Sequence, residues 1–342
     1  SISYARRKAI MSQWEQLTEY ISKSENILLS THRDPDGDGL GSEVGFYYYL
    51  KSIDKNVNIV NISPTPDKYK FLDQEQIIQA YDGEMNSLIS ESDLVIVFDL
   101  GDFTRLGELG EKIKENNINV VNMDHHIPRD DSLYVLSIVH QKSPSTTYMI
   151  WKYFEYLNIN NSPLSDNIAI PLYAGLVNDT GSFRYNSVTS DSHNMASHLL
   201  ESNVNPDEIY TQIYENSSIS KINLLASMIS NIKFFQDEKV AYTIINKETF
   251  SKSDSSIQDA EGFSEFIRGI DGIEISFSII QKNDIYKISF RSSGTYTVND
   301  IAALFGGGGH LLAAGCSIAR QDLDKTIETI LAECSRKINN GN

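Results

Sequence analysis

The chain has 342 residues, 40% hydrophobic and 10% aromatic, the composition of a globular protein with room for two cores. Its net charge of −17 excludes the basic stripe that grips long duplex nucleic acid by its phosphates. The charge is uneven: residues 1–214 hold 16 Lys and Arg against 30 Asp and Glu, while residues 215–342 hold 13 against 16.

No apolar run approaches the roughly 18–20 residues of a membrane span, so no membrane partner is expected. No hydrophobic signal-peptide core follows Arg6, Arg7 and Lys8. Two cysteines, Cys316 and Cys334, are too few for a disulfide framework, and a reduced cytoplasmic setting is expected.

In chain order, Ile10, Trp14, Leu17 and Ile21 recur at spacings of three and four and predict an amphipathic helix over 4–23. Residues 26–30 read as a short buried strand. It runs into Thr31-His32-Arg33-Asp34-Pro35-Asp36-Gly37-Asp38-Gly39-Leu40-Gly41-Ser42, where one imidazole and three carboxylates crowd together. Gly37, Gly39 and Gly41 are expected to let this loop fold tightly. Ser42 is expected to cap a helix over about 42–52. Clustered carboxylates repel, so the stretch needs a counter-charge, and a divalent metal is the obvious one.

Residues 57–61 form the next predicted strand, followed by a loop through Pro64 and Pro66. Leu94-Val95-Ile96-Val97-Phe98 is the most strand-like stretch and ends in Asp99; a helix is expected around 104–116. Another strand, 119–123, ends in Asp124-His125-His126. Strands alternating with helices predict a doubly wound, mostly parallel α/β sheet, whose ligands bind beyond the carboxyl ends of the strands. Three strands deliver His or Asp at those ends.

A helical part follows over about 144–232, including the apolar run 173–181 that ends in Asn178-Asp179-Thr180-Gly181. From about 240 strands return, at 240–245, 273–280 and 285–290, the last two joined by a hairpin turn at 281–284. A glycine run, Gly306 to Gly309, precedes His310, and a final amphipathic helix is expected over 321–337. The expected organisation is a catalytic domain over 1–205, a helical linker over 206–238 and a smaller α/β substrate-binding domain over 239–342.

His32, Asp36, Asp38, Asp99, His125, His126 and Asp179 can together hold two divalent ions if one carboxylate is shared. Carboxylates and imidazoles without thiolate suit Mn²⁺ better than a structural Zn²⁺ site, with Co²⁺ and other divalent ions as substitutes. Taken singly, each of these residues is ordinary. Their joint occurrence at strand ends is what points to a metal centre.

His32-x-x-x-Asp36-x-Asp38, the strand ending in Asp99, Asp124-His125-His126 and Asn178-Asp179-Thr180-Gly181 together resemble the four motifs of the DHH phosphoesterase superfamily. The segment Gly306-Gly307-Gly308-Gly309-His310 resembles the signature of its DHH-associated substrate domain. Size and motif order resemble the short two-domain branch, the nano-RNases that also act on 3′-phosphoadenosine 5′-phosphate (PAP). The resemblance covers about 10–338.

It implies a Mn²⁺-dependent phosphoesterase acting on short oligonucleotides or small nucleotides, with two Mn²⁺ (or Co²⁺ or Mg²⁺) as cofactors and homodimeric assembly. One ion would take His32, Asp36 and the bridging Asp99; the other would take Asp38, Asp99, His125 and Asp179. The candidate catalytic set is His126, Asp99 and Asp124, with His126 facing the scissile phosphate and Asp124 orienting His125. Arg291, Ser293, Gly307, Gly308, Gly309 and His310 would grip substrate phosphate.

The sequence departs from the family pattern twice. Asp34 stands where many relatives carry Asn, and the glycine run is one residue longer than the usual three. Two other readings compete: a manganese pyrophosphatase or short-chain polyphosphatase, suggested by Ser335-Arg336-Lys337, and a non-catalytic nucleotide sensor. Size and the lack of a further nucleic-acid domain disfavour a RecJ-like exonuclease of long DNA.

Overall fold

The computed structural model describes residues 4–126, 130–260 and 262–340, the side chains of 4–12 and of 321 excepted. The chain divides into two compact units, Ser1–Asn216 and Ser217–Asn342. No described helix is long and apolar enough to cross a membrane.

The first unit begins with α1 (Tyr4–Lys23), β1 (Asn26–Thr31), α2 (Gly37–Ser52), β2 (Asn56–Asn61) and β3 (Ile78–Ala80). It continues with α3 (Asn86–Ser90), β4 (Leu94–Phe98), α4 (Gly107–Glu115), β5 (Asn119–Asp124) and β6 (Leu136–Val139). Four helices complete it: α5 (Thr146–Tyr156), α6 (Asp166–Asp179), α7 (Ser190–Leu199) and α8 (Pro206–Tyr214). Helix α1 buries Trp14, Leu17 and Ile21 as its spacing predicts; the Ile10 side chain lies outside the described residues.

The six strands form one parallel sheet in the order β3-β2-β1-β4-β5-β6. Chain direction across the sheet reverses between β1 and β4, the switch point where such sheets bind ligands. His32 follows β1 and Asp99 follows β4, so both stand at that point. Phe46, Phe98 and Phe154 meet beneath it at ring separations of 5.4 and 6.4 Å, each side chain contributing about 1.5–3 kcal/mol by burial.

Helix α2 starts five residues earlier than expected, and Ser42 is not its cap. Asp36 is the N-cap, its side chain accepting from the backbone N–H of Asp38 and Gly39. The glycines expected to fold a loop are helical instead, and they serve close approach. A Cβ at Gly39 would lie 2.3 Å from Thr31 Oγ1, and one at Gly41 would lie 2.3 Å from Pro171 O of α6. Each helical glycine costs roughly 0.5–1 kcal/mol relative to alanine; here that cost lets α2 pack directly on β1 and α6.

The second unit contains α9 (Ile219–Ser230), β7 (Lys233–Phe235), β8 (Val240–Ile245), α10 (Lys247–Ser253) and α11 (Phe263–Arg268). Then come β9 (Ile275–Lys282), β10 (Ile285–Ser292), α12 (Asn299–Ala303), β11 (Gly308–His310), β12 (Ala313–Ala319) and α13 (Leu323–Asn340). Its sheet runs β11-β12-β10-β9-β8-β7, antiparallel except for the parallel pair β8–β9.

Segment 206–238, expected as a linker, contributes one helix to each core. Ile209 and Ile213 of α8 are buried in the first, and Leu224 and Met228 of α9 in the second. Cys316 and Cys334 are free and buried in the second unit.

Candidate metal centre

Three loops and two helix ends deliver the cluster. His32 leaves β1, Asp36 and Asp38 open α2, Asp99 leaves β4, His125 and His126 leave β5, and Asp179 ends α6. Potential ligand atoms of His32, Asp36 and Asp99 lie within 4.8 Å of one another, as do those of Asp38, His125 and Asp179 and those of Asp99, His125 and His126.

Asp99 sits between the groups, with Oδ2 3.6 Å from His32 Nε2 and Oδ1 3.4 Å from His125 Nε2. It is 2% exposed and held at φ +54°, a left-handed conformation that is costly for a residue other than Gly and tends to mark functional sites.

The partners of these atoms test whether a metal fits. Asp99 Oδ1 and His125 Nε2 are buried without a hydrogen bond, although Asp179 Oδ2 lies only 3.0 Å from that nitrogen. Buried polar atoms are normally satisfied, so two unsatisfied atoms aimed at one point fit a cation. His125 Nδ1 lies 3.2 Å from Ser143 O, which leaves Nε2 as the ring nitrogen that faces the cluster.

Asp38 is fully buried. Its Oδ2 accepts from Thr146 N (2.6 Å), and its Oδ1 accepts from Thr147 N (3.0 Å) and Thr147 Oγ1 (2.9 Å). These donors open α5, a helix without an acidic residue in its own first turn, so the Asp38 carboxyl supplies the acceptors for two of its free N–H groups.

The carboxylates and imidazoles of the cluster shift one another's protonation. Burial opposes protonation of His32, but Asp36 and Asp99 outweigh it and raise its pKa to about 10. Burial likewise opposes protonation of His125, and Asp179, Asp99 and Asp38 overcome it, to about 12. Asp124 and then Asp99 raise His126 to about 10. Burial would raise Asp99, yet the three imidazoles hold it well below the carboxylate range. Burial and the neighbouring carboxylates Asp179 and Asp99 push Asp38 well up.

The structure changes one expected partnership. Asp124 does not orient His125. Its Oδ1 accepts from His126 N (2.8 Å) and lies 2.9 Å from His126 Nδ1, while Oδ2 accepts from Gly101 N (2.6 Å). Asp124 is the last residue of β5, and the turn after it brings residue i+2, not i+1, back over the carboxylate.

Asp34 belongs to none of the ligand groups. It is exposed at φ +52°, where Asp and Asn are the favoured residues after glycine, which accounts for either at this position.

Residues 26–176 match the DHH family, N-terminal domain, and residues 237–336 match the DHHA1 domain. The chain belongs to the DHH family. It is 28% identical over 324 residues to the bifunctional oligoribonuclease and PAP phosphatase NrnA of Thermus thermophilus, covering 93% of both chains. To the protein of the same name from Bacillus subtilis it is 26% identical over 307 residues, covering 90% of this chain and 94% of that one. An exopolyphosphatase-related protein from Bacteroides fragilis has the same fold, with a TM-score of 0.89 at 28% identity over 96% of this chain and 98% of that one.

In the DHHA1 unit of this DHH protein, the glycine run is partly a strand. A Cβ at Gly307 would lie 2.2 Å from Gly315 O, and Gly309 combines φ +142° with a Cβ position 2.6 Å from Ala313 O. Gly308 faces open space. Arg291 on β10 and His310 on β11 both pair with Ala313 of β12, so the two lie on one face, two strands or about 10 Å apart. Arg291 Nε donates to Glu265 Oε1 (2.6 Å), and Ser293 Oγ donates to Glu274 Oε2 (2.8 Å).

Several supports of the DHH centre carry no motif signal. His32 Nδ1 lies 2.8 Å from Arg33 O, and Arg33 N in turn donates to Arg105 O (3.2 Å), so the Arg105 segment holds the loop that carries His32. Asn61 Oδ1 accepts from Thr31 N (3.1 Å) and Ser30 Oγ (3.3 Å), fixing the end of β1, while its Nδ2 donates to the fully buried Glu43 (2.6 Å). The nearest hint of the α5 site was Ser145-Thr146-Thr147, an N-cap sequence.

Burial holds the Glu43 pKa well above its usual 4.5. A raised carboxyl contributes stability that is fully present below the unfolded pKa and lost as pH rises through the folded one. Glu43→Gln keeps the acceptor for Asn61 and does not ionise. Its melting temperature relative to wild type is therefore expected to climb between pH 5 and pH 8. A difference that stays flat across that range would show that Glu43 titrates normally.

Proposed function

We propose that this protein is a metal-dependent phosphoesterase that hydrolyses very short oligonucleotides, nano-RNA and linear dinucleotides, to mononucleotides, and PAP to AMP. The observation that carries the reading is Asp99, with one oxygen toward each of two ligand groups. Near-full-length similarity to proteins named for both activities supports the substrate choice. The acidic surface and the lack of a basic stripe favour small substrates over long duplexes.

His32, Asp36 and Asp99 would hold one ion, and Asp38, Asp99, His125 and Asp179 the other, with Mn²⁺ as the preferred metal. Bound there, two such ions supply Lewis acidity for the attacking water and positive charge for the phosphate. His126 is 44% exposed, and its Nδ1 is engaged by Asp124, so the other ring nitrogen is left to donate to a phosphate oxygen as negative charge develops. Arg291 and His310 would bind substrate phosphate in the second unit, over the small residues Ala313, Gly315 and Gly308. The reaction is assigned to the cytoplasm, the reducing setting that suits two unpaired thiols.

The pyrophosphatase reading loses its motif. Lys337 is buried and donates to Thr297 Oγ1 (3.1 Å) and Asp300 Oδ2 (2.5 Å); Arg336 pairs with Glu333, and Ser335 with Gln236. All three side chains are occupied within the second unit.

The test is a rate comparison with Mn²⁺ on a dinucleotide, a long RNA, PAP, a cyclic dinucleotide and pyrophosphate. Fast turnover of the dinucleotide and PAP is expected. Preference for pyrophosphate would overturn the assignment, and inactivity on all five would restore the sensor reading.

Loss of one hydrogen bond to a charged group costs about 1.5–3 kcal/mol. Arg291→Ala and His310→Ala are therefore each expected to raise KM for the dinucleotide about 10–100-fold and to leave metal content at the wild-type value. A fall in metal content would contradict the substrate role.

A further inference from the structure

Asp179 has a support that neither its motif nor the ligand grouping explains. The Asn178 side chain packs against the first turn of α2, and a Cβ on Gly37 would lie only 2.9 Å from Asn178 Cβ. Its Nδ2 donates to Asp179 Oδ1 (3.2 Å). Its Oδ1 accepts from the hydroxyl of Tyr69 (2.7 Å), a residue 2% exposed and 109 positions earlier in the chain.

An amide has one donating and one accepting end, and an ionised carboxylate only accepts. If the amide turned over, its oxygen would face Asp179. The acceptor-only carboxylate therefore sets which way the amide faces, and the Tyr69 hydroxyl anchors it there by donating to the amide oxygen. Asp179 Oδ1 is thereby engaged by protein, and Oδ2 is directed at His125 Nε2, 3.0 Å away.

We propose that Asn178 and Tyr69 are positioning residues that act in series. Tyr69 anchors the Asn178 side chain in place, and Asn178 presents a single oxygen of Asp179 to the cation held by Asp38, His125 and Asp179. They do not serve the group formed by His32, Asp36 and Asp99. The inference rests on the metal-centre reading above, and it concerns selectivity between the two groups. Outer-shell partners of metal ligands typically change affinity about 10–100-fold.

The experiment is calorimetric titration of Mn²⁺ into metal-stripped full-length protein, for wild type, Tyr69→Phe, Asn178→Ala and the double variant. Tyr69→Phe removes one hydroxyl and keeps the buried ring. Wild type is expected to bind two ions. Each single variant is expected to keep one at wild-type affinity and to weaken the other at least tenfold.

Because the residues act in series, Tyr69→Phe is expected to add nothing in the Asn178→Ala background. A melting scan of the metal-free proteins detects general damage to the fold, and Tyr69→Phe, the milder change, then decides. Equal weakening of both ions, additive effects in the double variant, unchanged affinities, or failure of wild type to bind two ions would each overturn the proposal. The titration reads binding without turnover, so a wild type that binds two ions but hydrolyses no nucleotide would refute the phosphoesterase reading alone.

Discussion

Asp99→Asn is expected to lose on the order of 10³-fold or more in kcat/KM on a dinucleotide while keeping its fold. Outer partners of a metal ligand are each worth about 10–100-fold, and Asp99 faces both ligand groups directly, so its loss should exceed that range. A factor of 10³ corresponds to about 4 kcal/mol of transition-state stabilisation.

Asparagine is the informative replacement because the backbone at 99 is left-handed, at φ +54°. Asn accepts that conformation readily, whereas Ala would add strain of roughly 1–2 kcal/mol. The substitution thus removes charge and ligand strength without a backbone penalty. Metal content measured alongside rate makes the test sharp: activity and metal content near wild type would refute a shared ligand at this position.

Gly41→Ala is the second large effect, and it acts through packing. The added methyl would lie 2.3 Å from Pro171 O, a backbone atom that cannot rotate away. Helices α2 and α6 must separate, and α2 carries Asp36 and Asp38 while α6 carries Asp179. Overpacking of this kind costs about 1–3 kcal/mol, against less than about 1 kcal/mol gained in helix propensity.

At roughly 2–4 °C per kcal/mol for a unit of this size and a net cost of about 1–2 kcal/mol, the expected result is a fall in melting temperature of roughly 2–8 °C, with weaker Mn²⁺ binding. Gly45→Ala is the comparison. Its methyl would meet Leu172 Cδ2 at 3.1 Å, a side-chain atom that can yield, so a smaller loss is expected. Equal melting temperatures for Gly41→Ala and wild type would show that the glycine is not needed for close approach.

The reassigned partner of Asp124 also bears on the chemistry. His125 is set by the Ser143 carbonyl and His126 by Asp124. Adjacent histidines thus have separate supports, in keeping with one as ligand and the other turned to substrate.

By itself the sequence determined the parallel α/β unit and the rim to which its strands deliver His and Asp. Buried parallel strands are continuous runs of Val, Ile and Leu, such as 94–98, and a doubly wound sheet places every strand's carboxyl end on one rim. Any His or Asp just beyond such a run must therefore arrive at the same place, as His32, Asp99 and His125 do.

What tertiary structure alone decided depends on contacts between residues far apart in the chain. Asp36 rather than Ser42 starts α2, because Asp36 caps it and α6 needs the glycines that follow to lie within the helix. Strand β12, rich in Ala and Gly, has little intrinsic strand preference, and it exists because β10 and β11 pair with it on either side. The Thr146 and Thr147 amides reach Asp38 across more than 100 positions, and Tyr69 reaches Asn178 across 109. No local pattern encodes such a pairing, since only the closed sheet and the α2–α6 contact bring the two groups within hydrogen-bond range.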